Sequence, residues 1–184
     1  MRMREKTREI LAGQLLPLRL VIMVPLILDL ETGNTSNFLV NHLPFLIMLV
    51  IYPQLLNFLG FKLTKLQHVW ITVGLALHPA GAIYSLYADL WYFDKFAHLY
   101  SSTIISSIGL IALWNRDYSR KKVLIYSLAW ILLAGTAWEI LERMTDALTV
   151  YGPQDTLTDY IFNFAGWIIA IFFGKERLKN LGDY

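Results

Sequence analysis

Long apolar stretches alternate with short polar segments along the whole chain. Apolar runs fall at about 10–30, 38–60, 69–88, 96–114, 123–141 and 157–174. Each has about the twenty residues that an α-helix needs to cross a hydrocarbon core. The pattern predicts an all-α fold: a polytopic membrane helix bundle of about six transmembrane helices, forming a single integral membrane domain over residues 1–184. The connections are short, so successive helices are expected to pack antiparallel. Pro17, Pro25, Pro44, Pro53 and Pro79 lie inside the first three runs. Membrane helices accept such prolines where neighbours satisfy the freed carbonyls, and kinks are expected near them.

The distribution of Lys and Arg orients the bundle. Basic residues gather in the N-terminal tail (Arg2, Arg4, Lys6, Arg8), the second-to-third loop (Lys62, Lys65), the fourth-to-fifth loop (Arg116, Arg120, Lys121, Lys122) and the C-terminal tail (Lys175, Arg177, Lys179). The alternate loops hold only Lys95 and Arg143, and Arg19 lies inside the first run. Both termini are therefore expected in the cytoplasm, at the cell membrane. That orientation requires an even number of spans, which six satisfies. The opening MRMREKTRE, followed by an apolar stretch, has the layout of a secretory signal. No small-x-small cleavage site follows, and the apolar stretch runs on to about Leu30, so it reads as a retained first span.

Composition agrees with a bilayer environment. The chain is 56% hydrophobic and only 16% charged, against about 25% charged in soluble chains, and its mean hydropathy is +0.47. A soluble domain of this length could not bury so much apolar surface. There are no cysteines, which excludes disulfides, thiolate metal sites and cysteine nucleophiles. The basic residues form no stripe interleaved with aromatics, so nucleic acid is not an expected partner.

The acids show the opposite bias to the bases. Asp89 and Asp94 lie in or beside the third-to-fourth connection. Glu139, Glu142 and Asp146 lie at the outer end of the fifth helix or just beyond it, and Asp155 and Asp159 open the sixth. Ionisable groups inside a span are costly and mark functional sites by default. In DKFAH, Asp94 and His98 share one helix face at i,i+4; Asp155, Asp159 and Asn163 step by four down another. His78 lies near the middle of the third helix. Asp94, His98, Glu139, Asp155 and Asp159 together suit a divalent cation such as Mg²⁺, Mn²⁺ or Zn²⁺. Glu139 and His98 are the candidate catalytic groups, and His78, Glu142 and Asn163 extend the polar set.

Each piece has a plainer reading. Asp94 is placed to cap the fourth helix, and Thr156 with Asp159 resembles a capping box. Glu139 and Arg143 are spaced for an i,i+4 ion pair, and Asp94 and His98 for a structural pair. His78 is placed to bond a carbonyl freed by Pro79. His42 and His68 look interfacial, without a role. Asp94, His98 and Ser102 follow an acid–base–nucleophile order, but one straight helix does not give triad geometry. The run SSTIISSIG puts Ser102, Ser106 and Gly109 on one face, which favours close helix packing. Trp91, Tyr92, Trp114, Tyr118 and Tyr151 read as interfacial anchors.

Four blocks carry a family resemblance: LHPAGAIYSLY, WYFDKFAHLYSS, GTAWEILERM and DTLTDYIFNFAGWIIA. They resemble the YjdF-like family of uncharacterised prokaryotic membrane proteins and, more distantly, VanZ-like proteins. The resemblance covers roughly His78 to Ala170. It implies a membrane bundle whose positions of interest are His78, Gly81, Asp94, His98, Glu139, Asp155, Asp159 and Gly166, and it brings no assigned activity. Family members often have a longer stretch between the fifth and sixth helices than Thr145–Gln154 provides here. Three functions fit. The first is a membrane enzyme acting on a lipid or lipid-linked substrate at the outer face. The second is a proton- or cation-coupled transporter, which the apolar inner halves of helices four to six and the lack of an inverted repeat make the weaker choice. The third is a non-catalytic structural membrane protein.

Overall fold

A computed structural model describes residues 19, 23, 27, 43, 47–49, 51–52, 55, 65–84, 86–114, 116, 118–145 and 152–179. Five α-helices are continuous in these segments: α1 (Lys65–Ile83), α2 (Leu86–Asp89), α3 (Phe93–Trp114), α4 (Arg120–Thr145) and α5 (Pro153–Lys179). Every described residue before position 65 is also helical. Most of the expected first and second spans, the basic N-terminal tail, Tyr151 and the segment 146–150 lie outside the described residues. The chain divides into two compact units, Met1–Leu86 and Tyr87–Tyr184.

Among the described residues, three helices are long and apolar enough to cross a membrane: α3 over Phe93–Trp114, α4 over Arg120–Ile140 and α5 over Pro153–Lys175. They correspond to the fourth, fifth and sixth expected spans. The expected third span begins earlier and ends earlier than the apolar run. α1 stops at Ile83, where the Tyr84 N–H closes a last bond to the Ala80 carbonyl. Many large apolar side chains of α4 and α5 are exposed, among them Leu133, Ile140, Leu157, Ile161 and Phe173. Water would penalise such a surface, whereas lipid tails cover it at no cost.

Local chemistry sets the helix ends. Gly152 adopts a positive φ of 92°, a conformation glycine takes without steric penalty. Pro153 follows at the first helical position, where its missing N–H costs nothing. The Asp155 N–H returns to the Gly152 carbonyl at 3.0 Å. At the start of α4, the Ser119 carbonyl accepts from the Val123 N–H at 3.0 Å, and its hydroxyl lies 3.5 Å from the Lys122 N–H.

Within the second unit, α3 and α5 pack most extensively against each other, and α4 packs against both. α3 and α5 run parallel, in a register of about 64 residues. Its tightest point is Gly166. A Cβ there would lie 2.7 Å from the Leu99 carbonyl oxygen and 2.8 Å from the Thr103 backbone nitrogen. Buried Ser102 sits at this crossing and donates to the Leu99 carbonyl at 3.0 Å. The small-residue face of α3 therefore permits close approach, as its spacing suggests. Gly109, further along, faces the Trp130 ring of α4. α4 runs antiparallel to α5, joined by Trp167 Nε1 donating to Ser127 Oγ at 2.9 Å and by the Thr136 and Tyr160 hydroxyls at 2.7 Å. An apolar cluster of Leu110, Val123 and Ala170 lies at the far end of this unit. Leu110 is about 24 Å along α3 from the first-turn acid Asp94.

Candidate functional site

The parallel packing of α3 and α5 places both helix N-termini at one end of the unit. A helix N-terminus carries partial positive charge and favours carboxylates. Asp94 lies in the first turn of α3 and Asp155 in the first turn of α5. Asp159 follows one turn later and is 2% exposed.

Lys95 closes this group. Its Nζ donates to Asp94 Oδ2 at 2.8 Å, to Asp159 Oδ1 at 2.7 Å and to Asp155 Oδ1. An ammonium gains nothing from a helix N-terminus, so the acids hold it there. When ionised, the three carboxylates outnumber the ammonium by two negative charges.

His98 lies on the inner side of the acids, 7% exposed. Its Nε2 is 3.7 Å from Asp94 Oδ1 and 3.7 Å from Asp159 Oδ1. Its Nδ1 is 3.4 Å from Asn163 Oδ1. The tautomer with its proton on Nδ1 donates to that carbonyl oxygen and leaves the Nε2 lone pair for a cation. Asn163 is itself buried, and the backbone of α4 comes close to its amide nitrogen at Gly135. Asp94, His98 and Asp159 each offer one ligand atom, all within 4.8 Å of one another.

Glu139 is buried on α4 and is not one of these three. Its Oε2 accepts from Thr156 Oγ1 at 2.7 Å, while its Oε1 is buried without a hydrogen-bond partner. Thr156 also accepts from Arg143 Nη2 at 3.1 Å. Among the described residues, Glu139 and Arg143 are thus joined through Thr156 and not as the direct i,i+4 pair their spacing suggests. The capping readings also give way. α3 begins at Phe93 and α5 at Pro153, so Asp94, Thr156 and Asp159 lie inside their helices and turn their side chains to other partners.

The structure brings together Asp94, His98, Asp155, Asp159 and Asn163 from the sequence-derived set. Glu139 is tied to the same stretch of α5 through Thr156. His78 is buried in α1, in the first unit. The Glu142 side chain and Asp146 lie outside the described residues. Sequence reasoning gave Lys95 no place in the cluster and read Thr156 only as part of a capping box. Lys95 was legible only as a lone base among outer-side acids, and its neighbours Asp94 and His98 drew the attention instead.

No curated protein and no solved structure matches the chain. A family model described as "Predicted membrane protein (DUF2238)" matches residues 14–180. That agrees with the YjdF-like resemblance and with three helices of spanning length, and the chain belongs to this family of membrane proteins.

Proposed function

We propose that the N-terminal ends of α3 and α5 form an outward-facing divalent-cation site in a six-span bundle with both termini cytoplasmic, and that the protein acts there on a lipid or lipid-linked substrate. One observation carries the reading: from two helices, His98 Nε2 lies 3.7 Å from both Asp94 Oδ1 and Asp159 Oδ1, and one ligand atom from each residue falls within 4.8 Å of the others. Ligands about 2.1 Å from a tetrahedral ion lie about 3.4 Å from one another, so little movement is needed to seat one. The Asn163 carbonyl on Nδ1 is the outer contact that metal-bound histidines use to fix their tautomer. Two carboxylates and an imidazole favour Zn²⁺ or Mn²⁺ over Mg²⁺. Three protein ligands leave a coordination position for water or substrate. In this reading Glu139, with its unpartnered buried oxygen, is the neighbouring acid–base group.

A second reading has its own observation. Lys95 already supplies a cation to three carboxylates, so the cluster also fits an ion-pair network that only holds α3 against α5. Elemental analysis of the detergent-purified protein separates the two. Near-stoichiometric metal in the wild type, lost in Asp94→Asn/Asp159→Asn, is the expected result. No metal in either protein, with the variant merely less stable, leaves the structural reading.

A further inference from the structure

A second polar site lies in the first unit, far in sequence from the carboxylates. Arg19 is 8% exposed, and its Nε is buried without a hydrogen-bond partner. Its guanidinium lies over the Tyr52 ring, 5.0 Å from the centroid. Nη2 is 3.3 Å from the Tyr52 hydroxyl. That hydroxyl is 2.9 Å from Thr72 Oγ1, 3.1 Å from the His68 carbonyl oxygen and 3.5 Å from His68 Nδ1.

Among the described residues, these contacts leave Arg19 without a neutralising charge. The phenol has one proton, which goes to the His68 carbonyl; Thr72 and Arg19 then donate to its two lone pairs. The Tyr52 hydroxyl is thereby saturated. The sequence offers no remedy nearby: no Asp or Glu occurs between Glu31 and Asp89, so the segments that supply Tyr52, His68 and Thr72 carry no carboxylate. On the arginine's own segment the nearest acids are Glu9 and Asp29. Each is ten positions away in the sequence. A buried cation without a counter-ion is strongly disfavoured, and intramembrane arginines are normally paired.

We infer that Arg19, backed by the Tyr52 ring, binds a phosphate-type oxyanion, either the headgroup phosphate of an anionic lipid or free phosphate. The unused Nε–H and neighbouring guanidinium N–H groups form the planar fork that matches such an oxyanion in a bidentate contact. On the orientation set by the Lys and Arg bias, Tyr52, His68 and Thr72 belong to the cytoplasmic halves of their spans. The ligand would then come from the inner leaflet or the cytoplasm, and the site would be independent of the outward-facing carboxylates.

The test is native mass spectrometry of the full chain in detergent, titrated separately with phosphatidylglycerol, phosphatidylcholine and inorganic phosphate. Wild type is expected to prefer the anionic lipid or to bind phosphate. Arg19→Met should weaken that binding at least about tenfold, as expected for losing a hydrogen bond to a charged group. Lys121→Met, which removes an exposed surface charge, should leave it unchanged. Phosphate that binds and displaces the lipid marks a soluble source; lipid that phosphate does not displace marks the headgroup. If Arg19→Met does not fold, Arg19→Gln removes the charge while keeping a donor for Tyr52. Equal binding in wild type and the folded neutral variant overturns the inference. So does a wild type that takes up neither ligand, or that binds the zwitterionic lipid equally well.

Discussion

Lys95 Nζ donates to Asp159 Oδ1 at 2.7 Å across 64 positions of the chain, joining the first turn of α3 to the second turn of α5. This contact ties the two helices together at their N-terminal ends and gives a nearly buried carboxylate its counter-charge. It also makes Lys95 the direct competitor of any metal drawn to the same oxygens.

Lys95→Met should therefore lower stability in metal-free buffer. Removing one member of a buried ion-pair group costs on the order of 3–5 kcal/mol. If the acids accept a divalent ion, Zn²⁺ or Mn²⁺ should restore much of the lost melting temperature in this variant and raise that of wild type less. Thermal unfolding in detergent, with and without added metal, reads both effects. A variant as stable as wild type in chelator would mean that the ammonium is not holding the acids together.

Asn163→Ala tests the histidine. Asn163 Oδ1 is the Nδ1 partner of His98, and loss of such an outer contact typically weakens metal binding by about 10–100-fold. Metal affinity should fall within that range while the helical content, followed by circular dichroism, is kept. Unchanged affinity would remove Asn163 from the site.

Gly166 and Gly135 differ in what a methyl group would meet. At Gly166 the nearest obstacles include the backbone of α3, at 2.7 and 2.8 Å, which cannot step aside without separating the helices. Gly166→Ala should cost about 1–3 kcal/mol, the usual range for overpacking. At Gly135 the obstacle is the Asn163 amide, at 2.9 Å, a side chain that can move. Gly135→Ala should cost less in stability but disturb His98, weakening metal binding. Melting temperature and metal titration on the two variants should rank them oppositely.

The absence of cysteine makes orientation simple to measure. Trp91→Cys, at a position 85% exposed between α2 and α3, should react with a membrane-impermeant maleimide on intact cells. Lys121→Cys, at the start of α4, should react only after the membrane is opened. The reverse pattern would invert the bundle and place the carboxylate site in the cytoplasm.

Helix content was legible because it depends on local pattern. The apolar runs at 96–114, 123–141 and 157–174 lie within α3, α4 and α5, since a run of that length has no other way to satisfy its backbone in lipid. The i,i+4 spacing of Asp94 with His98, and of Asp159 with Asn163, was legible for the same reason. The capping expectations failed because turns upstream, at 90–92 and at Gly152–Pro153, already start these helices. That left the acids free for tertiary partners.

By itself, the sequence determined a membrane-embedded helical chain with its acids massed toward one side, because hydrophobic length and charge bias act along the chain without regard to neighbours. The tertiary structure alone decided that α3 and α5, separated by a whole helix, lie side by side and parallel. Their register depends on where two backbones can touch, and Gly166 against Leu99 and Thr103 sets that point. Once it is set, Lys95 falls among three carboxylates and His98 between Asp159 and Asn163. No spacing within a single helix encodes those meetings, because the distances involved run across the bundle and not along it.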